Sequence, residues 1–378
     1  MLNKRAVRDS LYRPLRALES YVAKRVAEKY VELRTRRVEP SVRIIEQGLI
    51  VPDFPIDVVY TWVDQEDPDF RRTLSKHLPE GATNLNTTSN ARFQCHEELR
   101  YSLRSIESFA PWVNHIYIVT NGQVPVWLKE DCRISLVRHE DIISPEYLPT
   151  FNSHVIGSCL HRIPGLSEHY IYFNDDVLLL HPIKPTDAFT ETGLSYGFIS
   201  LNTIGNGPPV PHETATEWGA KNARDLILRE WGRHFDRRFT HMYHPQRRSV
   251  AELCEATFAA EYHAFRRNRF RKADDILCCS FLHHYVGFLT GRTLLAHDKG
   301  WYVQVRDASA AGRYRKILEA RSDPDARAVV CLNDYMPPYG EVPGYQEDMR
   351  AFLDAYFPTP SCFEKWTSDD ARAELMAV

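Results

Sequence analysis

The 378-residue sequence has no run approaching the roughly 18 consecutive apolar residues that a membrane span requires. Its amino terminus also lacks the short apolar core of a secretory signal. The eight cysteines (Cys95, Cys132, Cys159, Cys254, Cys278, Cys279, Cys331 and Cys362) are scattered and none forms a CxxC pair. A chain this long needs no disulfide staples, so a reducing, cytoplasmic setting is expected. A basic excess is missing too: the formal net charge is -3 and the pI is near 6.6. That balance excludes a generic nucleic-acid binder, whose hold on the phosphate backbone depends on surplus positive charge. There is no internal repeat and no low-complexity tract. What is present, 43% hydrophobic and 12% aromatic residues, suffices for the core of one large domain or two closely packed ones.

Charge is strongly biased in one place, the first 45 residues. There Lys4, Arg5, Arg8, Arg13, Arg16, Lys24, Arg25, Lys29, Arg34, Arg36 and Arg37 outnumber the acids. Leu11, Leu15, Leu18, Val22 and Val26 recur at helical spacing, with Pro14 tolerable only in a first turn. Two readings stand: a basic amphipathic helix on an anionic membrane surface, or an arm packed on its own domain or on a partner chain. Glu39-Pro40 closes the segment.

Beyond it the periods alternate. "IDVVYTWV" (56–63), "HIYIVT" (115–120), "RISLVR" (133–138) and "HYIYFN" (169–174) read as strands. "HEELRYSLRSIESFA" (96–110) reads as a helix ended by Pro111, and 153–165 as a helix with Ser153 as N-cap and Pro164-Gly165 as stop. Residues 185–250 are less regular, with a Pro/Gly-rich loop that reads as a lid or an insertion before a helix over 214–235. Another helix is expected over 274–290, while the tail from about 340 shows little periodicity. Strands separated by helices give βαβ units, hence an α/β fold with a mostly parallel sheet flanked by helices. Ligands of such sheets bind beyond the carboxyl ends of the strands.

"YIYFNDDVLLL" (170–180) sets Asn174, Asp175 and Asp176 in the middle of an apolar run, at the carboxyl end of the fourth strand. Adjacent carboxylates repel, and apolar flanks raise the cost of keeping them ionised. A divalent cation removes both penalties, and oxygen donors suit magnesium or manganese. The competing reading is a solvated turn.

Four stretches taken together resemble, in order and spacing, the characteristic regions of the Stealth family: "IDVVYTWVD" (56–64), "ELRYSLRSIESFAPWVNHIYIVTNGQVPVWL" (98–128), "FNSHVIGSCLHRIPGLSEHYIYFNDDVLL" (151–179) and "CLND" (331–334). "HMYHPQRRSV" (241–250) and "FRKADDI" (270–276) extend the match. The resemblance implies a GT-A-like, Rossmann-like core over residues 46–340, with the N-terminal helical arm at 1–45 and a C-terminal tail at 341–378 packed on it. It further implies a sugar-1-phosphate transferase of capsule or exopolysaccharide synthesis. Such an enzyme takes a nucleoside diphosphate sugar, expected to be a UDP-hexose derivative, and an acceptor sugar hydroxyl. It forms a phosphodiester and releases the nucleoside monophosphate. A conventional glycosyltransferase releasing the diphosphate and a non-catalytic nucleotide-sugar binder are the alternatives.

By the same resemblance, Asp175, Asp176 and Asp334 are expected at a Mg2+ or Mn2+ and diphosphate site, with Asn174 and Asn333 as nearby polar groups. Arg271 and Asp275 match the family's R-x-x-x-D stretch. A guanidinium grips two phosphoryl oxygens at once, so Arg271 is the candidate stabiliser of the transferred group and Asp275 its partner. His241 matches the histidine ahead of "RRSV" and is the candidate general base, with phosphate stabilisation as its other reading. Arg100 and Arg104, four apart on one helical face, are candidates for the diphosphate, against ion pairing with Glu97 or Glu107. Tyr60, Thr61, Trp62 and Asp64 end the first strand, and Asn121, Gly122 and Gln123 the second, where enzymes of this architecture hold base and ribose. Two departures from the family pattern are Gly157, where relatives often carry Glu, and Cys95-His96, where Asp or Asn is common. Through the basic arm, contact with the membrane or with capsule machinery is a further expectation.

Overall fold

Ile56, Val58 and Tyr60 alternate with Asp57 and Val59 along β1 (Ile56–Thr61), and all five are buried because both faces of this strand are covered. The computed structural model describes residues 52–78, 96–297, 300–337 and 340–365. The expected basic arm at 1–45 and Cys95 lie outside the described residues. β1 pairs in parallel with β2 (Ile116–Thr120) on one side and with β4 (His169–Asn174) on the other. β3 (Ile134–Arg138) extends the sheet beyond β2, and β8 (His244–Arg247) closes the opposite edge as its antiparallel member, giving the order β3-β2-β1-β4-β8. The chain therefore runs outward from β1 through β2 to β3, then returns to the other side of β1 to form β4. That reversal opens a crevice at the carboxyl ends of β1 and β4.

One face of the sheet, with Val58, Tyr60, Ile118, Ile171 and Phe173, packs on Leu99, Leu103 and Ile106 of the helix Glu98–Phe109. The other, with Val59, Val119, Tyr170 and Tyr172, packs on Leu160, Ile163 and Tyr147. Each covered apolar side chain of this size contributes about 1.5–3 kcal/mol, so the strand ends are set on a rigid base.

Two small sheets flank the first. β5 (Val177–Leu179) follows β4 after two residues and pairs antiparallel with β11 (Val329–Asn333), itself parallel to β10 (Trp301–Gln304). β6 (Ser195–Thr203) sits between β7 (Arg237–Phe239) and β9 (Thr293–Ala296). The expected irregular stretch 185–250 thus contains three strands. Its Pro/Gly-rich loop is tethered: the buried Lys221 ammonium donates to Pro208 O (3.0 Å) and to Glu213 Oε1 (2.5 Å), and Arg224 donates to Gly205 O (3.0 Å) and Gly207 O (2.9 Å). Two buried cations that use this loop's carbonyls as their acceptors argue against a lid.

Other elements depart from expectation. The helix expected over 153–165 stops after Ser153–Gly157 and resumes only as a single tight turn, Leu160–Arg162. Its cap is Asn152, whose side chain accepts from His154 N at 3.0 Å, and not Ser153. The helix expected over 274–290 begins as a wide turn at Cys278–Leu282 and continues as His283–Leu289. The tail holds a helix, Tyr345–Tyr356, that buries Tyr345, Met349, Phe352, Leu353 and Tyr356 against β10, β11 and the helix Ala310–Glu319.

Candidate active site

Asp175 and Asp176 are the two-residue turn between β4 and β5, where one strand leaves the central sheet and the next enters the sheet of β11. The backbone is held there by Leu332 N, which donates to Asp176 O at 2.8 Å, and by the pairing of Val177 with Cys331. The apolar flanks belong to two different sheets, and the carboxylates stand at their junction. A cleft of about 260 Å³ opens over this turn. Its polar wall includes Thr61, Asn121, Asn174, His241, Arg271 and Asn333, and its apolar end Trp62, Val63, Phe70, Phe151 and Ile156.

The floor is strongly acidic. Removal from solvent raises the Asp175 carboxyl well above the usual range, and the charges of Glu98 and Asp176 push it further. Glu98 and Asp176 are raised by the same desolvation, with His241 opposing the effect at Asp176. Asp176 Oδ1 is buried with no hydrogen-bond partner among the described residues. Asp176 Oδ2 lies 3.4 Å from Cys331 Sγ and 4.0 Å from His241 Nε2, and one ligand atom from each of these three residues lies within 4.8 Å of the others. An orphaned carboxylate oxygen among like charges is what a cation-binding pocket presents, so this donor set fits a divalent ion.

Arg271 lines the cleft, its Nη2 donating to Ser153 Oγ at 2.5 Å. Burial lowers its pKa, against the pull of Asp275. Asp275 itself does not reach the cleft: it is 0% exposed and accepts from Asn152 (2.9 Å), His154 Nδ1 (3.2 Å), Asn268 (2.9 Å) and Lys272 N (3.1 Å). It folds the loop that carries Arg271, and a direct part in the chemistry is corrected to a positioning one. His241 is the exposed member of the site, at 40%, with its ring 6.1 Å from that of Tyr302.

Several further expectations are revised. Arg104 does not face a diphosphate: its Nε and Nη2 each donate at 2.7 Å to the two oxygens of Glu364, and its Nη1 donates at 2.7 Å to Phe357 O. Arg100 binds the same carboxylate. The pairing anticipated with Glu107 is absent from both, and Glu97 approaches Arg100 only at 3.7 Å. Asp334 lines the cleft, but Arg306 grips both its oxygens and His96 Nε2 lies 3.1 Å from one, so it stays outside the donor cluster. Burial alone would raise its carboxyl, but the hydrogen bonds from His96 and Arg306 and the Arg306 charge outweigh that and hold it below the ordinary range. Tyr60 is core, with its hydroxyl 2.7 Å from Ser102 Oγ. Asp64 and Gln123 form a clasp outside the cleft, Gln123 Nε2 donating to Asp64 O (2.6 Å) and Asp64 N to Gln123 Oε1 (2.9 Å). Gly122 is required by its φ of +102°. A Cβ at Gly157 would lie 3.1 Å from Cys279 Sγ, away from the cleft lining.

Thr61, Trp62, Asn121, Asn174 and Asn333 do line the cleft. Tyr172 OH donates to Asn174 Oδ1 at 2.8 Å, and Tyr302 OH to Asn333 Oδ1 at 2.7 Å, which orients both amides. Sequence reasoning missed Glu98 and Cys331. Glu98 had a signal, a carboxylate opening a helix at the strand-end level, whereas nothing local marks a thiol inside an apolar strand.

Four regions characteristic of Stealth proteins match this chain: conserved region 1 at residues 54–79, region 2 at 92–196, region 3 at 240–288 and region 4 at 317–374. An exopolysaccharide phosphotransferase of Streptomyces coelicolor is 38% identical over 341 residues, covering 89% of this chain and 57% of that protein. The chain thus spans little more than half the length of that relative. A capsular polysaccharide phosphotransferase of Haemophilus influenzae is 36% identical, with coverage of 83% and 86%, and one of Neisseria meningitidis is 33% identical, with 89% and 95%. Among solved structures, a galactosyltransferase LgtC complex with donor and acceptor sugar analogs overlaps at a TM-score of 0.41 and 12% identity, over 84% of this chain and 99% of that one. The α/β class rests on the chain's own sheet order.

Proposed function

The chain belongs to the Stealth family, and from that premise we propose that it transfers a sugar-1-phosphate from a nucleoside diphosphate sugar to a sugar hydroxyl in capsule or exopolysaccharide synthesis. The observation that carries this reading is the turn Asp175-Asp176, whose unpartnered Asp176 Oδ1 shares one cleft with His241 and Arg271. The names of the relatives support phosphotransfer to a polysaccharide.

In this reading the acceptor oxygen attacks the phosphorus that bears the donor sugar, and the bond from that phosphorus to the nucleoside monophosphate breaks. His241, the exposed base at the cleft, takes the hydroxyl proton. Arg271 holds the phosphoryl oxygens as charge gathers on them, a role in which a preorganised donor contributes about 10²–10³ in rate. Asp176, with Asp175 beside it, would hold Mg2+ or Mn2+, which when bound neutralises diphosphate charge. Asn174 and Asn333, oriented by Tyr172 and Tyr302, would hydrogen-bond donor-sugar or phosphate oxygens. The apolar end at Trp62, Phe70 and Phe151 suits a nucleobase. The basic segment 1–45 is the part assigned to an anionic membrane surface or to capsule machinery, on the cytoplasmic side. No helix among the described residues is long and apolar enough to cross a membrane.

The test is to incubate the protein with UDP-, GDP- and CDP-sugars, magnesium or manganese, and capsule-derived acceptor, and to identify the released nucleotide by mass. A monophosphate that depends on metal and acceptor is expected, and Asp176→Asn should abolish it. A diphosphate would overturn phosphotransfer in favour of glycosyl transfer.

A further inference from the structure

The donors around Asp176 are not all of one kind. Asp176 supplies hard oxygen, His241 an imidazole nitrogen and Cys331 a sulfur, and no two of the three ligand atoms are more than 4.8 Å apart. Magnesium has no use for the sulfur and little for the nitrogen, whereas zinc and its d-block neighbours prefer both. From bond lengths of about 2.0–2.3 Å and tetrahedral angles, ligand atoms around zinc stand roughly 3.3–3.6 Å apart. The observed Cys331 Sγ to Asp176 Oδ2 separation of 3.4 Å already meets that spacing. His241 Nε2, at 4.0 Å from the same oxygen, lies beyond that spacing by less than an ångström, and its side chain is 40% exposed and has room to turn. The two remaining members are fixed by the fold, since Cys331 pairs with Val177 one residue beyond Asp176.

We propose that Asp176, His241 and Cys331 form a three-ligand site for a thiophilic divalent cation, zinc in the first place, with the fourth tetrahedral position open toward the cleft. Binding releases the Cys331 thiol proton to solvent and leaves the cation on sulfur, nitrogen and oxygen. The site is distinct from a magnesium site because it recruits the sulfur and the imidazole. A zinc ion seated there also occupies His241, so it blocks the group assigned above as the base. Zinc would then inhibit at concentrations far below those at which magnesium supports turnover. The binding claim itself is independent of the transfer reading.

The experiment is a titration of the full, chelator-treated chain with Co2+, followed by near-ultraviolet and visible absorption, and then competition with Zn2+ and with Mg2+. One equivalent of cobalt should produce a thiolate-to-cobalt charge-transfer band together with tetrahedral visible bands. Stoichiometric zinc should erase both, and a large excess of magnesium should not. Cys331→Ser should lose the charge-transfer band, and His241→Ala should weaken zinc binding by about tenfold or more. Because Cys331 is buried, the His241 variant, at an exposed position, keeps the test decisive if the serine variant folds poorly. No band at stoichiometric cobalt overturns the proposal. So does a band unchanged in both variants, which would belong to other cysteines, or displacement by equimolar magnesium. Failure of phosphotransfer with the cobalt bands intact would refute the transfer reading and leave this site standing.

Discussion

Replacing Arg104 by methionine separates a structural arginine from a phosphate-binding one. Methionine keeps the apolar stem and removes the guanidinium, and with it both bonds to Glu364 and the bond to Phe357 O, each 2.7 Å. The side chains of Arg104 and Glu364 are only 7% and 1% exposed, so solvent does not screen the loss. Breaking a buried ion pair from one side costs about 3–5 kcal/mol. Glu364 retains Arg100 and the Ser361 backbone and hydroxyl donors, which sets the expected loss at the lower end, about 3 kcal/mol. With a urea slope of about 3 kcal/mol/M, the unfolding midpoint falls by about 1 M. The assay is equilibrium urea unfolding beside initial-rate kinetics under conditions where both proteins remain folded. The donor KM should be unchanged. A donor KM raised about tenfold (about 1.4 kcal/mol) with an unmoved midpoint would refute the reasoning and return Arg104 to the diphosphate.

Arg271→Ala should lower kcat by about 10²–10³ with a smaller change in donor KM, and Arg271→Lys should recover little, because a lysine lacks the two-pronged grip; steady-state kinetics decides. His139, a cleft-lining residue, has its pKa lowered by burial to about 4. Its folded value lies below the unfolded one, so the unfolded chain binds the extra proton between about pH 4 and 6.5, and stability from this group is lost as pH falls through that window, by about 3 kcal/mol in full. His139→Gln should flatten that limb of a stability-versus-pH curve, and an unchanged slope would contradict it. Gly219→Ala should destabilise by about 1–3 kcal/mol, although the same change in an exposed helix stabilises by about 1 kcal/mol. A Cβ there would meet Leu277 N at 2.9 Å, and a raised melting temperature would show that this backbone yields.

Much of the fold was readable because it depends on near neighbours. β4 was expected over 169–174 and occupies His169–Asn174, and the other three early strands lie within the expected runs. The tail helix was equally written, with Tyr345, Met349, Phe352, Leu353 and Tyr356 at helical intervals. The prolines that flank it on both sides obscured the stripe. The cap of the helix expected after Ser153 is set by a contact outside its own stretch: Asn152 accepts from His154 N while donating to Asp275, 123 residues away.

The sequence by itself determined the strand and helix periods, the placement of Asp175 and Asp176 at a strand end, and the family. Alternation and spacing are local properties, and two adjacent acids in an apolar run are conspicuous wherever they occur. Only the tertiary structure decided which groups meet those acids. Cys331 arrives because β11 pairs with β5, whereas Asp334, three residues later, is taken by Arg306 and His96. Arg100 and Arg104 carry the charge a diphosphate would want, yet Glu364 neutralises them from across the fold. A charge does not reveal its partner in its own stretch of chain. Packing assigns it, by bringing the nearest desolvated counter-charge within hydrogen-bonding distance.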